Sequence, residues 1–302
     1  MKIFCTGASG YIGGSVAVAL IKAGYDVAGL VRSDAAATQM RALGITPVLG
    51  DLDETDGLAE AARQADVVIN TANADHKPSA YALLEALRGT AKTFIHTSGS
   101  SIVGTQSAGH RVDDVYDEDT RFTPSPARAE RVALNDLVLS YASRDLRPII
   151  ICPSLIYGLG RGVKPHSMQV PWLIELAKAK GVAKHYGPGE NIWSNVHIDD
   201  LVDLYVRALD AAPAGAFYYA ENGENAMNEI CRAISRMLGF NDASEAMDLD
   251  EAADAWGDGP ARNTMGSNSR VRARRARSEL GWQPSASSLI DEIESGCYGS
   301  LR

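Results

Sequence analysis

Apolar residues along the first half of the chain follow two alternating spacings. Short apolar runs such as 67–69 fit buried strands, whereas segments such as 128–143 repeat apolar residues every three or four positions, as one face of a helix does. The pattern predicts strands at 2–5, 26–31, 46–49, 67–69, 93–96 and 147–152, and helices at 11–23, 35–43, 58–64, 79–87 and 128–143. Because near-continuous apolar strands are buried on both faces, the alternation indicates an α/β fold with a doubly wound parallel sheet.

The regular alternation stops after Pro153. The remaining pattern predicts a loop at 158–165, helices at 170–180, 199–209, 226–238, 271–280 and 289–295, and one strand at 216–220. The acidic, aperiodic segment 242–266 is compatible with a mobile flap. We therefore predict a sheet core at 1–155, to which 195–222 returns, and a small interleaved C-terminal lobe at 156–194 and 223–302.

The stretch "TGASGYIGG", residues 6–14, places glycines at positions 7, 10 and 13 between the first strand and the first helix. Glycine lets the backbone turn tightly and approach a pyrophosphate closely, and the free N–H groups at a helix N-terminus favour phosphate. Strand, glycine turn, helix and strand within about thirty residues are typical of a dinucleotide-binding Rossmann fold.

Several segments, in chain order, carry a resemblance to the extended short-chain dehydrogenase/reductases, the NAD-dependent epimerase/dehydratase-like family. They are the G-x-x-G-x-x-G loop, Asp51-Leu52, "NTAN" at 70–73, "FIHTSGSSIVG" at 94–104, "CPSLIYGLG" at 152–160, "SNVHIDDLVDLYVRAL" at 194–209 and "LGWQPSASSL" at 280–289. The resemblance implies a nicotinamide cofactor, hydride transfer on a small carbonyl or hydroxyl substrate, and a substrate lobe at the C-terminal side. The positions it places at the cofactor are Gly7, Ser9, Gly10, Tyr11, Ile12, Arg32, Asp51, Leu52, Thr71, Ala72, Asn73, Thr97, Arg131 and Pro153.

The residue at the end of the second strand distinguishes NAD from NADP users. A carboxylate there accepts the ribose hydroxyls of NAD, whereas a cation pairs with the 2′-phosphate of NADP. The chain has Arg32 followed by Ser33, and its nearest acid, Asp34, lies beyond the predicted strand. A planar guanidinium suits phosphate, so we expect NADP(H) in preference to NAD(H).

The family's usual catalytic pair, Tyr-x-x-x-Lys, is missing from the sequence. In the helix that should carry it, Ala127 and Arg131 fall at the two positions, or Arg128 and Val132 if the register shifts by one. Arg131 can bind the nicotinamide ribose but stays protonated, so it is a poor proton donor. Gly99 falls at the family's catalytic serine, with Ser98 and Ser100 beside it.

The candidate catalytic residues are therefore Ser98, Ser100, Tyr157, His166 and Arg131, with His197 a weaker candidate. Three interpretations stay open. The first is an atypical NADP(H)-dependent oxidoreductase, the second a non-catalytic NADP-binding redox sensor or scaffold of the NmrA-like kind. The third, a sugar-nucleotide epimerase or dehydratase, rests on the run of five arginines between 270 and 277.

The composition reduces the number of partner classes that the protein can have. The 302 residues carry a net charge of −9, which argues against nucleic acid or an anionic membrane as the main partner. The four scattered cysteines indicate neither a metal site nor a disulfide framework. A strand beginning at residue 2 leaves no room for a signal peptide, so we expect a cytoplasmic protein with a small-molecule substrate. The oligomeric state is open, with a homodimer as one option.

Overall fold

The computed structural model describes residues 1–302. Its strands, in chain order, are β1 (Lys2–Thr6), β2 (Asp26–Val31), β3 (Thr46–Leu49), β4 (Val67–Asn70), β5 (Thr93–Thr97), β6 (Thr105–Gln106), β7 (Arg147–Pro153), β8 (Leu155–Tyr157), β9 (Ala183–Tyr186), β10 (Ile192–His197), β11 (Ala216–Ala220), β12 (Glu224–Ala226), β13 (Ser244–Met247) and β14 (Ser267–Asn268).

The helices are α1 (Tyr11–Lys22), α2 (Asp34–Ala42), α3 (Thr55–Gln64), α4 (Lys77–Leu87), α5 (Ala129–Ser140), α6 (Gln169–Lys180), α7 (Ile198–Ala211), α8 (Met227–Leu238), α9 (Leu249–Trp256), α10 (Asp258–Pro260), α11 (Arg274–Glu279) and α12 (Leu289–Glu294). Short 3-10 turns cover Ser100–Val103, Tyr141–Arg144 and Cys297–Leu301, and one π-helical turn covers Ala261–Met265.

The main sheet has seven strands in the spatial order β11–β7–β5–β4–β1–β2–β3. Every neighbouring pair in it is parallel, for example Phe4 against Ala28 on one side and Val68 on the other. The order reverses between β1 and β4, which is where ligands bind in doubly wound folds. The predicted fold class is confirmed, and strand 216–220 joins the sheet as expected.

Two apolar cores divide the interior. The larger surrounds the seven-stranded sheet, and the smaller joins β8, β9 and β10 to helices α6, α8 and α12. Segment 271–282, which the sequence assigned to the C-terminal lobe, contributes Val271, Ala276 and Trp282 to the larger core. The predicted domain boundaries otherwise stay a prediction.

The second half contains more regular structure than its sequence pattern indicates. Segment 242–266 is regular rather than loose, because it forms β13, α9, α10 and a π-helical turn, and Met247, Ala252 and Ala261 build a small core of their own; that it moves as a flap stays a prediction. The helix predicted at 271–280 is shorter and covers only α11. Strand β10, which was not predicted, is buried along its whole length.

No helix of the structure is both long and apolar enough to cross a lipid bilayer.

Candidate active site

The candidate site lies at the carboxyl edge of the main sheet. Parallel strands present their carboxyl ends at one edge, so the residues ending β1, β4, β5 and β7 are brought together there: Thr6, Asn70, Thr97 and Pro153. The glycine loop follows β1 and meets the segment after β4 at the switch point. Sequence positions 6–14 and 70–73 therefore lie against each other, with Gly7 and Gly13 close to Thr71 and Ala72.

The glycine loop is tightly packed against the segment after β4. Gly7 has φ +73°, and a Cβ there would lie 2.8 Å from the backbone of Ala72. A Cβ at Gly13 would overlap Thr71 Oγ1 and the carbonyl oxygen of Gly7. Gly10 precedes the first turn of α1 and donates its N–H to Gly7 O at 2.7 Å. The first-turn N–H groups of α1 have no intrahelical acceptors, which suits a pyrophosphate.

The adenosine end of a dinucleotide would lie beyond β2. A cleft of about 430 Å³ opens there, lined by Arg32, Ser33, Asp34, Leu49, Gly50, Asp51 and Glu54. Ser33 Oγ caps α2 by accepting the Ala36 N–H at 3.3 Å, which leaves its hydroxyl proton free to donate to a phosphate. Arg32 forms no ion pair with the acids around it. The cleft therefore keeps one unpaired guanidinium, that of Arg32, in its lining.

The other residues that the resemblance places at the cofactor differ in their surroundings. Ser9, Tyr11 and Ile12 are partly buried in and after the glycine loop, and Tyr11 donates its hydroxyl to Gly158 O at 2.9 Å. Thr97 faces α7, because its Oγ1 lies 2.6 Å from the Tyr205 hydroxyl. Thr97 can therefore offer the cofactor only its backbone.

Two more of these positions line the junction after β4. Thr71 Oγ1 donates to Thr6 O at 2.6 Å, and Asn73 Oδ1 accepts the Asp75 N–H at 2.9 Å. Asp51, after β3, turns its carboxylate back to accept the Asp53 N–H at 3.1 Å. Leu52 packs against the main core from outside.

Arg131 joins three segments that are distant in sequence. Its guanidinium donates to both carboxylate oxygens of Asp75, at 2.6 and 2.5 Å, and to Ser101 Oγ at 3.1 Å. This pairing lowers the pKa of Asp75 below its usual value. Arg131 thus spans from α5 to the loop after β4 and the turn after β5.

The geometry supports one of the two registers for the missing pair. Arg131 reaches the turn after β5 through Ser101, which favours the register with Arg131 at the lysine position and Ala127 at the tyrosine position, and the assignment stays a prediction. Ala127 is exposed and precedes α5. A Cβ at Gly99 would lie 3.3 Å from Arg131 Nη1, so the glycine leaves space for this larger cation. Neither Ala127 nor Gly99, which fall at the family's tyrosine and serine positions, carries a hydroxyl group.

The two candidate serines lie in the same turn but face different partners. Ser98 Oγ accepts from Asn135 Nδ2 at 3.0 Å, which leaves the serine proton available to another acceptor. Ser100 Oγ accepts from Ser269 Oγ at 2.9 Å and is almost completely buried. Both hydroxyls therefore keep a proton that they can donate, and Ser98 is slightly less buried than Ser100, with 6% against 1% of its surface exposed.

Of the other candidates, Tyr157 ends β8, His197 ends β10 and His166 lies in the loop between β8 and α6. Tyr157 is fully buried and donates its hydroxyl to Ser287 O at 2.8 Å, and burial raises its pKa above the ordinary range. His197 begins α7 by accepting the Asp199 N–H and packs edge-on against the Tyr157 ring. His166 is partly buried, and its Nδ1 has no partner. Of the two histidines, only His166 has a buried ring nitrogen without a hydrogen-bond partner.

A chain of side-chain hydrogen bonds runs beneath the site. Thr6 Oγ1 donates to Asn70 Oδ1 at 2.6 Å, and Asn70 Nδ2 lies 3.1 Å from His96 Nδ1. Since the amide nitrogen can only donate, His96 Nδ1 must accept, which puts the ring proton on Nε2. That Nε2 is buried and unpartnered. Burial, assisted by the charge of Arg131, lowers the pKa of His96 to about 4.

His96 predicts a loss of stability in acid. The unfolded imidazole takes up a proton near pH 6.5 and the folded one near pH 4, so the unfolded state binds more protons between these values. Each pH unit below 6.5 then lowers the free energy of unfolding by about 1.4 kcal/mol. Between pH 7.5 and pH 5 the total loss is about 2 kcal/mol. Urea unfolding at both pH values should show this loss, and His96→Leu should reduce it. An equal pH dependence in the variant would contradict the assignment.

The five arginines between 270 and 277 form ion pairs within the chain. Arg270 and Arg272 share Glu224, at 2.7 and 3.0 Å. The other three pairs are Arg274 with Asp117, Arg275 with Asp119 and Arg277 with Glu221, at 2.8, 2.5 and 3.0 Å. These pairs show that acids of this chain balance the charges of the run, and the sugar-nucleotide interpretation stays open.

Several site residues were missed from the sequence. Asp75, His96 and Asn135 carry no local signal, because their partners lie 26 to 56 residues away along the chain. No group of three or more His, Cys, Asp and Glu side chains is arranged to hold a metal ion.

The model of the NAD-dependent epimerase/dehydratase family matches residues 3–218 of the chain. The chain belongs to this family. Among curated relatives of the epimerase/dehydratase chain, the oxidase ucsJ of Acremonium sp. is 33% identical over 333 residues, covering 97% of this chain and 95% of the relative. A 4-hydroxy-2-methyl-3-oxo-4-farnesyl-3,4-dihydroquinoline-1-oxide ketoreductase of Stigmatella aurantiaca is 25% identical, covering 74% of this chain and 69% of the relative.

Solved structures show the same fold for this epimerase/dehydratase chain. The UDP-glucuronic acid 4-epimerase of Bacillus cereus, solved with NAD, superposes with a TM-score of 0.76 at 21% identity and covers 98% of this chain and 97% of its own. The family and its relatives are oxidoreductases and epimerases, so the protein is an enzyme of the NAD-dependent epimerase/dehydratase type.

Proposed function

We propose that the protein is an NADP(H)-dependent oxidoreductase that acts on a small carbonyl or hydroxyl substrate. The observation that carries this proposal is Arg131, which Asp75 and Ser101 hold at the turn after β5, where the family lysine would act. The oxidase and ketoreductase relatives support redox chemistry on such substrates.

The bound nicotinamide supplies or accepts the hydride, and the chain must position the substrate and move a proton. Arg131 is held by Asp75 and Ser101, so its charge is fixed at the ribose side of the site. It remains protonated and does not act as the acid. Ser98 can donate to the substrate oxygen because Asn135 already occupies one of its lone pairs. His166 or bound water can supply the proton that the serine passes on.

Arg32 should determine the choice between the two nucleotides. It is unpaired at the rim of the adenosine cleft, and a charge-assisted contact with a 2′-phosphate is worth about 1.5–3 kcal/mol. We expect NADP⁺ to bind roughly ten to more than a hundred times more tightly than NAD⁺, and Arg32→Asp to reverse or remove this preference. Calorimetric titration measures both affinities. Equal affinities in the unsubstituted protein would refute the proposal.

A screen of NADPH oxidation tests the activity itself. The substrates are aldehydes, ketones and enones, followed by stopped-flow absorbance. We expect Ser98→Ala to lower kcat by about a hundredfold, the lower end of general acid catalysis. Tyr157→Phe should change kcat much less, because its hydroxyl is committed to Ser287 O.

The same screen includes Ser100→Ala and His166→Ala. Turnover that none of the four variants changes would discard all of these residues as proton donors. Tight NADPH binding without turnover on any substrate would favour the non-catalytic sensor. We also propose that the protein acts in the cytoplasm, which its free cysteines suit.

A further inference from the structure

A second cleft, of about 670 Å³, lies between α3 and the outer strands of the main sheet, and we call it the α3 cleft. It extends from the amino end of β2, at Asp26, to the carboxyl end of β3, at Leu49. There it adjoins the cleft at Arg32, since residues 49–51 and Glu54 line both. Volumes of about 300–1,000 Å³ are typical of clefts that enclose a small molecule.

The wall that the sheet contributes is apolar, because α2 covers only the opposite face of these strands. A Cβ at Gly29 would lie 2.5 Å from Met40 of α2, so Gly29 faces α2. Its neighbours Ala28 and Leu30 therefore face the α3 cleft, which they line. The parallel register places Val48 beside Leu30 on the same face. An apolar strip thus runs along the length of the cleft.

The wall that α3 contributes consists mainly of small residues, which explains why the space is not filled. Gly57, Ala61 and Gln64 lie at i, i+4 and i+7 on one face of the helix and all line the cleft. A Cβ at Gly57 would have nothing within 4 Å. The apolar surface between the two walls is therefore open to a ligand, and its burial would favour binding.

The charges in the lining are mostly negative. The acids are Asp26, Asp51, Glu54 and Glu60, and Lys2 is the one cation. Of these acids, only Glu60 forms an ion pair within the chain, with Arg63. The lining therefore carries an excess of negative charge that no side chain balances.

One of these carboxylates stands directly beside the apolar strip. A Cβ at Gly50 would lie 3.4 Å from Glu54 Oε2 and 3.3 Å from Leu30 Cδ1, so the carboxylate oxygen and the methyl group approach the same point. This point is the end of the cleft nearest Arg32. A charged group and an extended apolar wall thus meet at one end of the site.

We propose that the α3 cleft binds an organic cation, with its ammonium group at Glu54 and its apolar chain along Leu30, Val48 and Ala28. An ammonium group donates charge-assisted hydrogen bonds to a carboxylate, and the apolar walls accommodate the rest of the molecule. An anionic ligand would meet the unbalanced acids instead. The site is separate from the proposed redox chemistry, so neither a carbonyl substrate nor turnover enters this inference.

Calorimetric titration of the full chain tests the proposal. The ligands are alkylammonium ions of eight to twelve carbons, used below their critical micelle concentrations, and the alcohols and carboxylates of the same chain lengths. We expect one ammonium ion to bind per chain, at least ten times more tightly than its neutral or anionic counterpart. Gly57→Leu, which fills open space, and Glu54→Gln, which removes the charge, should each weaken this binding at least fivefold. Saturating NADP⁺ should not displace the ammonium ion.

Two matched controls separate the cleft from general effects of the substitutions. Gly299→Leu adds the same side chain where a Cβ also has nothing within 4 Å, and Asp56→Asn removes a carboxylate of α3 that does not line the cleft. Both should bind the ammonium ions as the unsubstituted chain does. The proposal is overturned if alcohols or carboxylates bind as tightly, if NADP⁺ displaces the ammonium ion, or if the controls weaken binding as much as the cleft variants. A change of oligomeric state in Gly57→Leu, measured by sedimentation velocity, would also overturn it, because the cleft would then be an interface between two copies of the chain.

Discussion

Gly10→Val is expected to abolish dinucleotide binding while the protein stays folded. Gly10 immediately precedes α1, and an added Cβ would meet only Gly7 O at 3.0 Å, so the fold can adjust. The branched side chain would, however, stand beside the N–H groups that a pyrophosphate must approach. Calorimetric titration with NADP⁺ and NAD⁺ should show no measurable binding. Circular dichroism and the melting temperature should remain close to those of the unsubstituted protein.

Two glycines provide the comparison. Gly57→Val adds the same side chain in α3, where nothing lies within 4 Å of the new Cβ, and should leave nucleotide binding unchanged. Gly13→Val should instead destabilise the fold, because its Cβ would overlap Thr71 and Gly7. Retained nucleotide binding in Gly10→Val would mean that the loop has another role.

Trp282→Ala is expected to lower the free energy of unfolding by about 3–5 kcal/mol, the usual cost of removing a large buried aromatic side chain. Trp282 is fully buried in the main core, donates its indole N–H to Asp200 O at 2.9 Å and packs against the Arg277 guanidinium. It therefore fastens the C-terminal segment to the start of α7. Urea unfolding measures the loss.

Trp256→Ala is the control for residue type. Trp256 is only partly buried at the end of α9, and its indole nitrogen has no partner, so no hydrogen bond is lost. Trp256→Ala should lower the free energy of unfolding clearly less than Trp282→Ala does. Equal losses for the two variants would show that the Asp200 contact and deep burial of Trp282 do not matter to stability.

Local sequence signals explain what could be predicted. The glycine loop and the strands around it are fixed by neighbouring residues, so their positions and the fold class follow from spacing alone. Strand β10 was missed because its buried polar residues, Ser194 and Asn195, obscure the apolar pattern. They are satisfied by Val271 and Asn225, which are 77 and 30 residues away.

The candidate site likewise contains residues with a local sequence signal and residues without one. Arg131 was predicted because a helix repeat places it at the lysine position. Its partner Asp75 lies 56 residues earlier in a loop that has no periodic pattern, so nothing in the sequence joins the two. The ion pairs of the arginine run were equally hidden, since their acids come from 113–119 and 221–224.

The pairing of residues 117–119 with 274–275 has a consequence for synthesis of the chain. Glu118 also accepts the backbone N–H groups of Tyr219, Arg274 and Arg275, so the segment before α5 is tied to residues made about 155 positions later. Contacts so far apart form late, because closing the intervening loop costs entropy before they stabilise anything. The predicted sheet core at 1–155 can therefore fold on the ribosome ahead of the rest of the chain. Catalytic competence should appear only after release of the finished chain.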